Sequence, residues 1–320
     1  MAFRQYEGTI KPAANFDPEE AADQLEKAMK GSGCDKNKVI EVIAKISNAQ
    51  RQMIRTPYKG KYNKDLLDEL KKELSGDFEN VIIGLMETPT KYDAIQLQNA
   101  TKGLGTREST LVDILCSRTN HEMDAIKIEY KNTYGRQLEE DIVGDTSGDF
   151  KDLLVALLNN KRDTTFNVDV GKAREEARKI MGNKARKEKP DKATMMNAFT
   201  TENFRQLARL FSEHQSITGE TMQEEVDKMF SGDAKVAYTA LIDSLSNKPR
   251  FFARQLYEAM KGLGTADEDL IRIIVSRSEI DLADIRDEFE RMYKKPLVDW
   301  IKSECSGAYR DALITIVNGN

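Results

Sequence analysis

The sequence contains few of the residues that build disulfide frameworks or catalytic metal sites, and no stretch that would span a membrane. Its 320 residues include 3 cysteines, 2 histidines, 1 tryptophan and 7 prolines. Three widely spaced cysteines exclude a disulfide scaffold and favour a reducing compartment. No apolar run approaches the roughly 18 residues of a transmembrane helix, and the first residues lack the basic start and apolar core of a signal peptide. These absences predict a soluble, cytoplasmic protein.

Strong positive charge is also absent. The formal net charge is −5, and the most basic segment, residues 184–192, contains two acids of its own. Such a chain is not drawn to nucleic acid or to an anionic lipid surface by its own charge. We therefore expect no nucleic-acid partner, and binding to an anionic membrane would require a bridging cation.

The chain is built from internal repeats, which two markers reveal. Gly-x-Gly follows an amphipathic segment at Gly31, Gly103 and Gly262, and Ser-Gly recurs at Ser75, Ser147, Ser231 and Ser306, in steps of 72, 84 and 75 residues. Repeats of this length are typical of helical arrays. The spacing predicts an N-terminal tail (1–16) and four copies of one unit: copy one (17–88), copy two (89–160), copy three (161–247) and copy four (248–320).

Within each copy the apolar residues have helical spacing. Val39, Ile40 and Ile43 recur at i, i+1 and i+4, and Leu270, Ile273 and Ile274 repeat the pattern. A capping residue precedes proline at 17–18 and 88–89. Thr106 and Thr265 are expected to cap the helix that follows, the latter in a capping box with Glu268. The prediction is an all-α fold.

Each Gly-x-Gly is followed by an acid at a constant distance. Gly33 precedes Glu73, Gly105 precedes Asp145 and Gly264 precedes Glu304, in each case by 40 residues. Copy three has lost both elements: its loop reads Met181-Gly182-Asn183-Lys184, and Met229 stands where the other copies have the acid. Their joint loss indicates that loop and acid form one site.

The chemistry of such a site fits calcium. Alternate glycines let a turn present successive carbonyl oxygens to one point, and calcium takes six to eight oxygen ligands. With one carboxylate per site the affinity should be weak, and the open coordination positions could take lipid phosphates. A single Gly-x-Gly is most often a structural helix end; three loops with one shared offset favour a functional site.

These motifs resemble the annexin family over essentially the whole chain, from about Phe16 onward. Met-Lys-Gly-x-Gly-Thr with an acid about 40 residues later is the family's calcium site, and residues 143–148 and 271–281 also match. The resemblance implies four domains of five helices each, curved into a disc whose convex face carries the calcium loops. It implies Ca²⁺ ligands from loop carbonyls and one acid per site, namely Met29, Gly31, Gly33 and Glu73; Thr101, Gly103, Gly105 and Asp145; and Met260, Gly262, Gly264 and Glu304.

The loop tips are candidates for membrane contact. Exposed apolar side chains there could enter the lipid interface, and lysines beside them could contact phosphates; the set comprises Lys30, Ser32, Lys102, Leu104, Lys261 and Leu263. Copy one departs from the family motif, with Cys34 in place of threonine and Asp35 as a substitute cap. Thr101 replaces a hydrophobic residue in copy two.

Two functions remain open from the sequence. The first is calcium-dependent, non-enzymatic binding to acidic phospholipid membranes, of the phosphatidylserine type, by a peripheral protein that reaches the cytosolic membrane face when calcium rises and could self-assemble laterally there. The second is a calcium-independent helical scaffold, since 72 residues is also two helical repeats of about 36. The tail predicts no particular protein partner.

Overall fold

The computed structural model describes residues 6–31, 33–103, 105–159, 161–182 and 189–320, which form twenty α-helices and no strand. The predicted all-α fold is confirmed. Across these ranges, no helix combines the length and apolar character needed to cross a bilayer. Contacts divide the chain into two units, Met1–Asp93 with Pro249–Asn320, and Ala94–Lys248.

The helices follow one another in four sets of five. The first set is α1 (Pro18–Met29), α2 (Lys36–Ile43), α3 (Asn48–Tyr62), α4 (Leu66–Glu73) and α5 (Gly76–Met86). The second is α6 (Pro89–Thr101), α7 (Glu108–Leu115), α8 (Asn120–Tyr134), α9 (Leu138–Asp145) and α10 (Gly148–Asn159). The third is α11 (Val170–Met181), α12 (Lys192–Thr201), α13 (Phe204–Thr218), α14 (Met222–Met229) and α15 (Gly232–Ser246). The fourth is α16 (Lys248–Met260), α17 (Asp267–Arg277), α18 (Leu282–Tyr293), α19 (Leu297–Glu304) and α20 (Gly307–Asn318).

Helix caps explain many of these starts. Asp17 accepts hydrogen bonds from the backbone N–H groups of Glu19 (2.8 Å) and Glu20 (3.3 Å), with Pro18 in the first turn, as predicted. Reciprocal capping boxes start α3 and α8. Because the first N–H groups of a helix have no intrahelical partner, each such cap contributes about 1 kcal/mol.

The cores form where the apolar periodicity predicts. Val39, Ile40 and Ile43 are at most 5% exposed, and burying each such side chain contributes about 1.5–3 kcal/mol. In the first unit α5 packs against α17 and α20, and in the second α15 packs against α7 and α10. Copies one and four therefore share one core, and copies two and three share another.

Aromatic pairs recur at the same place on α3, α8 and α18, the third helices of copies one, two and four. The ring centroids of Tyr58 and Tyr62 lie 5.1 Å apart, and the equivalent pairs on α8 and α18, Tyr130 with Tyr134 and Phe289 with Tyr293, are each 4.9 Å apart. Such pairs add about 0.5–1.5 kcal/mol beyond area burial. Their common geometry repeats the structural unit that the sequence markers predicted.

Two predicted caps are wrong. The N-caps of α7 and α17 are Arg107 and Ala266, neither of which makes a side-chain capping bond. Thr106 and Thr265 therefore lie one residue before the N-cap, and their hydroxyls bond elsewhere. The substitute cap in copy one is confirmed: Asp35 accepts from the N–H of Lys38 at 3.0 Å.

An extended N-terminal segment, residues 7–13, lies against copies one and four. The N–H of Ile10 donates to the carbonyl of Ser278 (3.0 Å), and Ala13 exchanges two hydrogen bonds with the Gln50 side chain. A Cβ at Gly8 would lie 2.4 Å from the backbone of Glu279, so only glycine permits this close approach. The sequence did not predict this docking.

Candidate calcium-binding loops

Three loops with one backbone conformation follow α1, α6 and α16. In each, both glycines have positive φ, between +86° and +128°, at Gly31, Gly33, Gly103, Gly105, Gly262 and Gly264. A Cβ added at any of the six would meet nothing within 4 Å. Glycine is therefore required by the backbone conformation, which side chains rarely adopt, and not by lack of space.

A single hydrogen bond closes every loop. The N–H of Asp35 donates to the carbonyl of Ala28 (2.8 Å), and the equivalent bonds join Arg107 to Ala100 (2.9 Å) and Ala266 to Ala259 (2.8 Å). The bond spans the Gly-x-Gly and holds the second residue after it against the end of the preceding helix. The three loops are therefore closed in the same way.

The loop carbonyls are available to a ligand. The hydrogen bond that closes each loop uses the carbonyl of Ala28, Ala100 or Ala259 and not that of a loop glycine. All six glycines are exposed, so a cation can take the place of water at their carbonyl oxygens. The side chains of Met29, Thr101 and Met260 point inward, with at most 9% exposure, and the Thr101 hydroxyl donates to the carbonyl of Leu97 at 3.2 Å. This internal bond explains why threonine is tolerated there.

The three acids occupy equivalent positions. Glu73, Asp145 and Glu304 are the last residues of α4, α9 and α19, and all three are exposed. In copy three Met229 ends α14 in the same way. The helix that carries the acid is thus retained in all four copies, and its last residue is an acid in three of them.

Loop and acid are brought together most directly in copy two. The Thr106 hydroxyl donates to the backbone carbonyl of Asp145 at 3.0 Å. In copy one burial, and then the charge of Glu73, raise the pKa of the Cys34 thiol, which means that the loop and Glu73 are close. In copy four Tyr309, on the helix that follows Glu304, donates to Asp267 at 2.9 Å.

The loop tips are open to solvent. Leu263 is fully exposed, and Lys30 and Lys102 are also exposed. Lys261 is half-exposed and pairs with Glu258 at 2.5 Å. Ser32 and Leu104 lie outside the described residues, as do Asn183 and Lys184 of the copy-three loop.

Clusters of three or more His, Cys, Asp or Glu side chains able to hold a metal are absent from the part of the chain that the structure describes. The donor set at each loop is instead carbonyl oxygens with one carboxylate, which is chemically suited to Ca²⁺. The residues present therefore fit the ion that the sequence implied.

Comparison with known proteins identifies the family. The annexin family model matches residues 20–85, 92–157 and 251–316, the segments that contain the three glycine loops. Pig annexin A4 is 42% identical over 98% of this chain and 98% of its own length. Human annexin A11 is 41% identical over 98% of this chain, which spans 62% of that relative's length.

Solved structures agree. Annexin III superposes with a TM-score of 0.94 at 35% identity, covering 100% of this chain and 99% of its own. A calcium-bound annexin (Sm)1 gives a TM-score of 0.84 at 30% identity, covering 98% and 93%. The chain belongs to the annexin family, and the predicted fold of four helical repeats is confirmed.

Proposed function

We propose that this chain binds acidic phospholipid membranes through calcium ions held in copies one, two and four. The carbonyls of the residues named above in each loop, with Glu73, Asp145 and Glu304, supply the protein ligands. Lipid phosphates complete the coordination, and no catalytic step takes place. The observation that carries the proposal is the threefold recurrence of one closed, solvent-exposed loop together with a helix-terminal acid.

Charge explains why calcium is needed. At a net charge of −5 the protein is repelled by an anionic surface, so attraction requires a cation shared between carboxylate and phosphate. The side chains beside each ion, Lys30, Lys102 and Lys261, then contact phosphates, and Leu263 enters the interface, where full burial of a leucine contributes about 1.5–3 kcal/mol. Such a protein acts reversibly at the cytosolic face of membranes as calcium rises.

Sedimentation with vesicles tests the proposal. We expect pelleting with phosphatidylserine-containing vesicles in calcium, release by a chelator, and little pelleting with purely zwitterionic vesicles. Pelleting that persists in chelator would overturn the proposal and favour a calcium-independent helical scaffold.

A matched pair of variants locates the sites. Glu73→Gln, Asp145→Asn and Glu304→Gln combined should abolish calcium-dependent pelleting. The control combines Asp68→Asn, Glu140→Gln and Asp299→Asn, which remove the same charge from the same helices, each five residues earlier. Equal loss in both triple variants would show a general charge effect and contradict the assigned ligands.

A further inference from the structure

Copy four contains a hydrogen-bond network that joins its glycine loop to the helix after the acid. The Thr265 hydroxyl and the Tyr309 phenol both donate to Oδ1 of Asp267, at 2.6 Å and 2.9 Å. Thr265 directly follows the second glycine of the loop, and Asp267 begins α17. Tyr309 lies in the first turn of α20, just beyond the end of α19 where Glu304 stands.

The phenol is fixed as a donor. Burial raises the pKa of Tyr309, and its hydrogen bond to Asp267 raises it further. Asp267 therefore faces neutral donors, and its second oxygen remains outside the two bonds described.

The equivalent positions in copy one cannot make this network. Cys34 replaces Thr265, Lys36 replaces Asp267 and Phe78 replaces Tyr309. The Lys36 ammonium lies over the Phe78 ring instead, 5.7 Å from its centroid. This contact holds the two helices together but gives no directional bond to the loop.

In copy two a different hydrogen bond joins the loop to the helix that carries the acid. Copy two has Glu108 and Phe150 at the positions of Asp267 and Tyr309, and these two side chains cannot form a phenolic hydrogen bond. There Thr106 donates directly to the carbonyl of Asp145. Copies two and four thus join the loop to the acid-bearing helix or the helix after it by hydrogen bonds, whereas copy one has a cation–π contact between Lys36 and Phe78 at the equivalent positions.

We infer that Thr265, Asp267 and Tyr309 form a latch that holds the copy-four loop and Glu304 in register before calcium arrives. Tyr309 and Asp267 are then positioning residues, which raise calcium affinity without contacting the ion. The inference rests on the proposed function and adds a reason to expect different calcium affinities at the three sites. Pre-organised ligands bind more tightly because less ordering accompanies binding.

The test uses the full chain with only copy four intact, through Glu73→Gln and Asp145→Asn. In this background Tyr309→Phe removes one hydroxyl and keeps the ring. We expect the calcium concentration for half-maximal binding to phosphatidylserine vesicles to rise about three- to tenfold, as loss of the net contribution of one ordinary hydrogen bond implies. Calorimetry with calcium alone should show the same direction of change.

Variants at Asp267 separate positioning from direct coordination. Asp267→Asn keeps an oxygen that accepts both hydrogen bonds and removes the charge, so the latch predicts near-normal calcium dependence. Asp267→Ala removes both bonds and should weaken calcium dependence at least as much as Tyr309→Phe. A loss with Asp267→Asn as large as with Asp267→Ala would overturn the latch and make Asp267 a calcium ligand.

A gain of function in copy one completes the test. With Asp145→Asn and Glu304→Gln, only copy one remains, and adding Cys34→Thr, Lys36→Asp and Phe78→Tyr should lower its half-maximal calcium concentration.

Unchanged calcium dependence with Tyr309→Phe, at an unchanged unfolding temperature, would overturn the inference while leaving the proposed function intact. Loss of calcium-dependent binding in the copy-four background itself would overturn the proposed function and the latch with it.

Discussion

At the scale of single residues, the glycine loops depend on backbone conformation. Gly105 has a φ of +94° with open space around its missing side chain, whereas Gly144, in the neighbouring α9 of the same copy, has open space and helical backbone. The two positions differ only in the conformation that a side chain would have to adopt. They form a natural pair for substitution.

We predict opposite outcomes for alanine at these two positions. Gly105→Ala should destabilise the loop by about 1–2 kcal/mol, the cost of a left-handed conformation, and weaken calcium-dependent vesicle binding. Gly144→Ala should leave binding unchanged and stabilise the protein by up to about 1 kcal/mol, because alanine favours a helix. Urea unfolding and vesicle sedimentation measure both effects; equal binding by the two variants would contradict the role of the loop.

The three acids should not be equivalent. Cys34 and Ser32 make copy one depart from the sequence motif, and this departure predicts the weakest site there. A lost helix cap does not account for a weaker site, since Asp35 caps α2 while α7 and α17 have no side-chain cap. The hydrogen bonds that join loop and acid segment in copies two and four supply a better reason.

We therefore predict that Asp145→Asn and Glu304→Gln each weaken vesicle binding more than Glu73→Gln. Each of the first two should raise the half-maximal calcium concentration by about tenfold, because one charged ligand is lost from a site that has only one. Singly substituted controls are Glu140→Gln and Asp299→Asn. If Glu73→Gln is the most damaging of the three, copy one is the principal site and the ranking fails.

At the scale of helices, the sequence predicted the elements well and some of their ends poorly. The apolar periodicity identified the buried faces because side-chain burial follows the 3.6-residue period directly. The starts of α7 and α17 were displaced by one residue because the residue after the threonine donates to the carbonyl seven residues back. A bond of that span has no local sequence signal, so the sequence predicts that the threonine before the helix is its cap.

The docking of residues 7–13 was also beyond sequence reasoning. The segment contacts residues about 270–310 positions away, and its marker is one glycine, Gly8, whose requirement comes from a close backbone approach. Helical periodicity and capping rules report only on neighbours in sequence. Long-range contacts of an extended segment can be identified only when the structure of the surface it packs against is known.

The cap of α2 gives a prediction at this scale. Asp35→Ala should lower the free energy of unfolding by about 1 kcal/mol, since the N–H of Lys38 loses its side-chain partner, and should weaken copy one in a background where it is the only intact site. Asp35→Asn keeps the acceptor oxygen and should be nearly neutral. Denaturant unfolding at neutral pH provides the measurement, and an unchanged midpoint for Asp35→Ala would contradict it.

At the scale of the whole molecule, repetition is the organising fact. Four sets of five helices provide four equivalent positions for a loop and an acid, and three of them carry both. The sequence alone predicted this distribution, because the loss of glycine and carboxylate in copy three is visible as a pair. The hydrogen bonds that join each loop to its acid segment could not be predicted, since they differ among the copies.

The central claim is that one calcium ion is shared between protein and lipid. Shared coordination makes the two binding events reciprocal: whatever factor calcium adds to the affinity for lipid, lipid adds to the affinity for calcium. A protein that bound calcium at these loops and lipid at an energetically independent site would show no such linkage. Reciprocal linkage therefore distinguishes a calcium ion shared with lipid from independent binding of calcium and lipid.

Calcium titration with and without phosphatidylserine vesicles measures the linkage most directly. We predict weak binding in solution, in the range of about 10⁻⁴–10⁻³ M that low ligand charge gives, and binding at least about tenfold tighter with vesicles present. The triple variant at Glu73, Asp145 and Glu304 should lose the vesicle-dependent component. Equal calcium affinity with and without vesicles would contradict shared coordination and, with it, the proposed function of the loops.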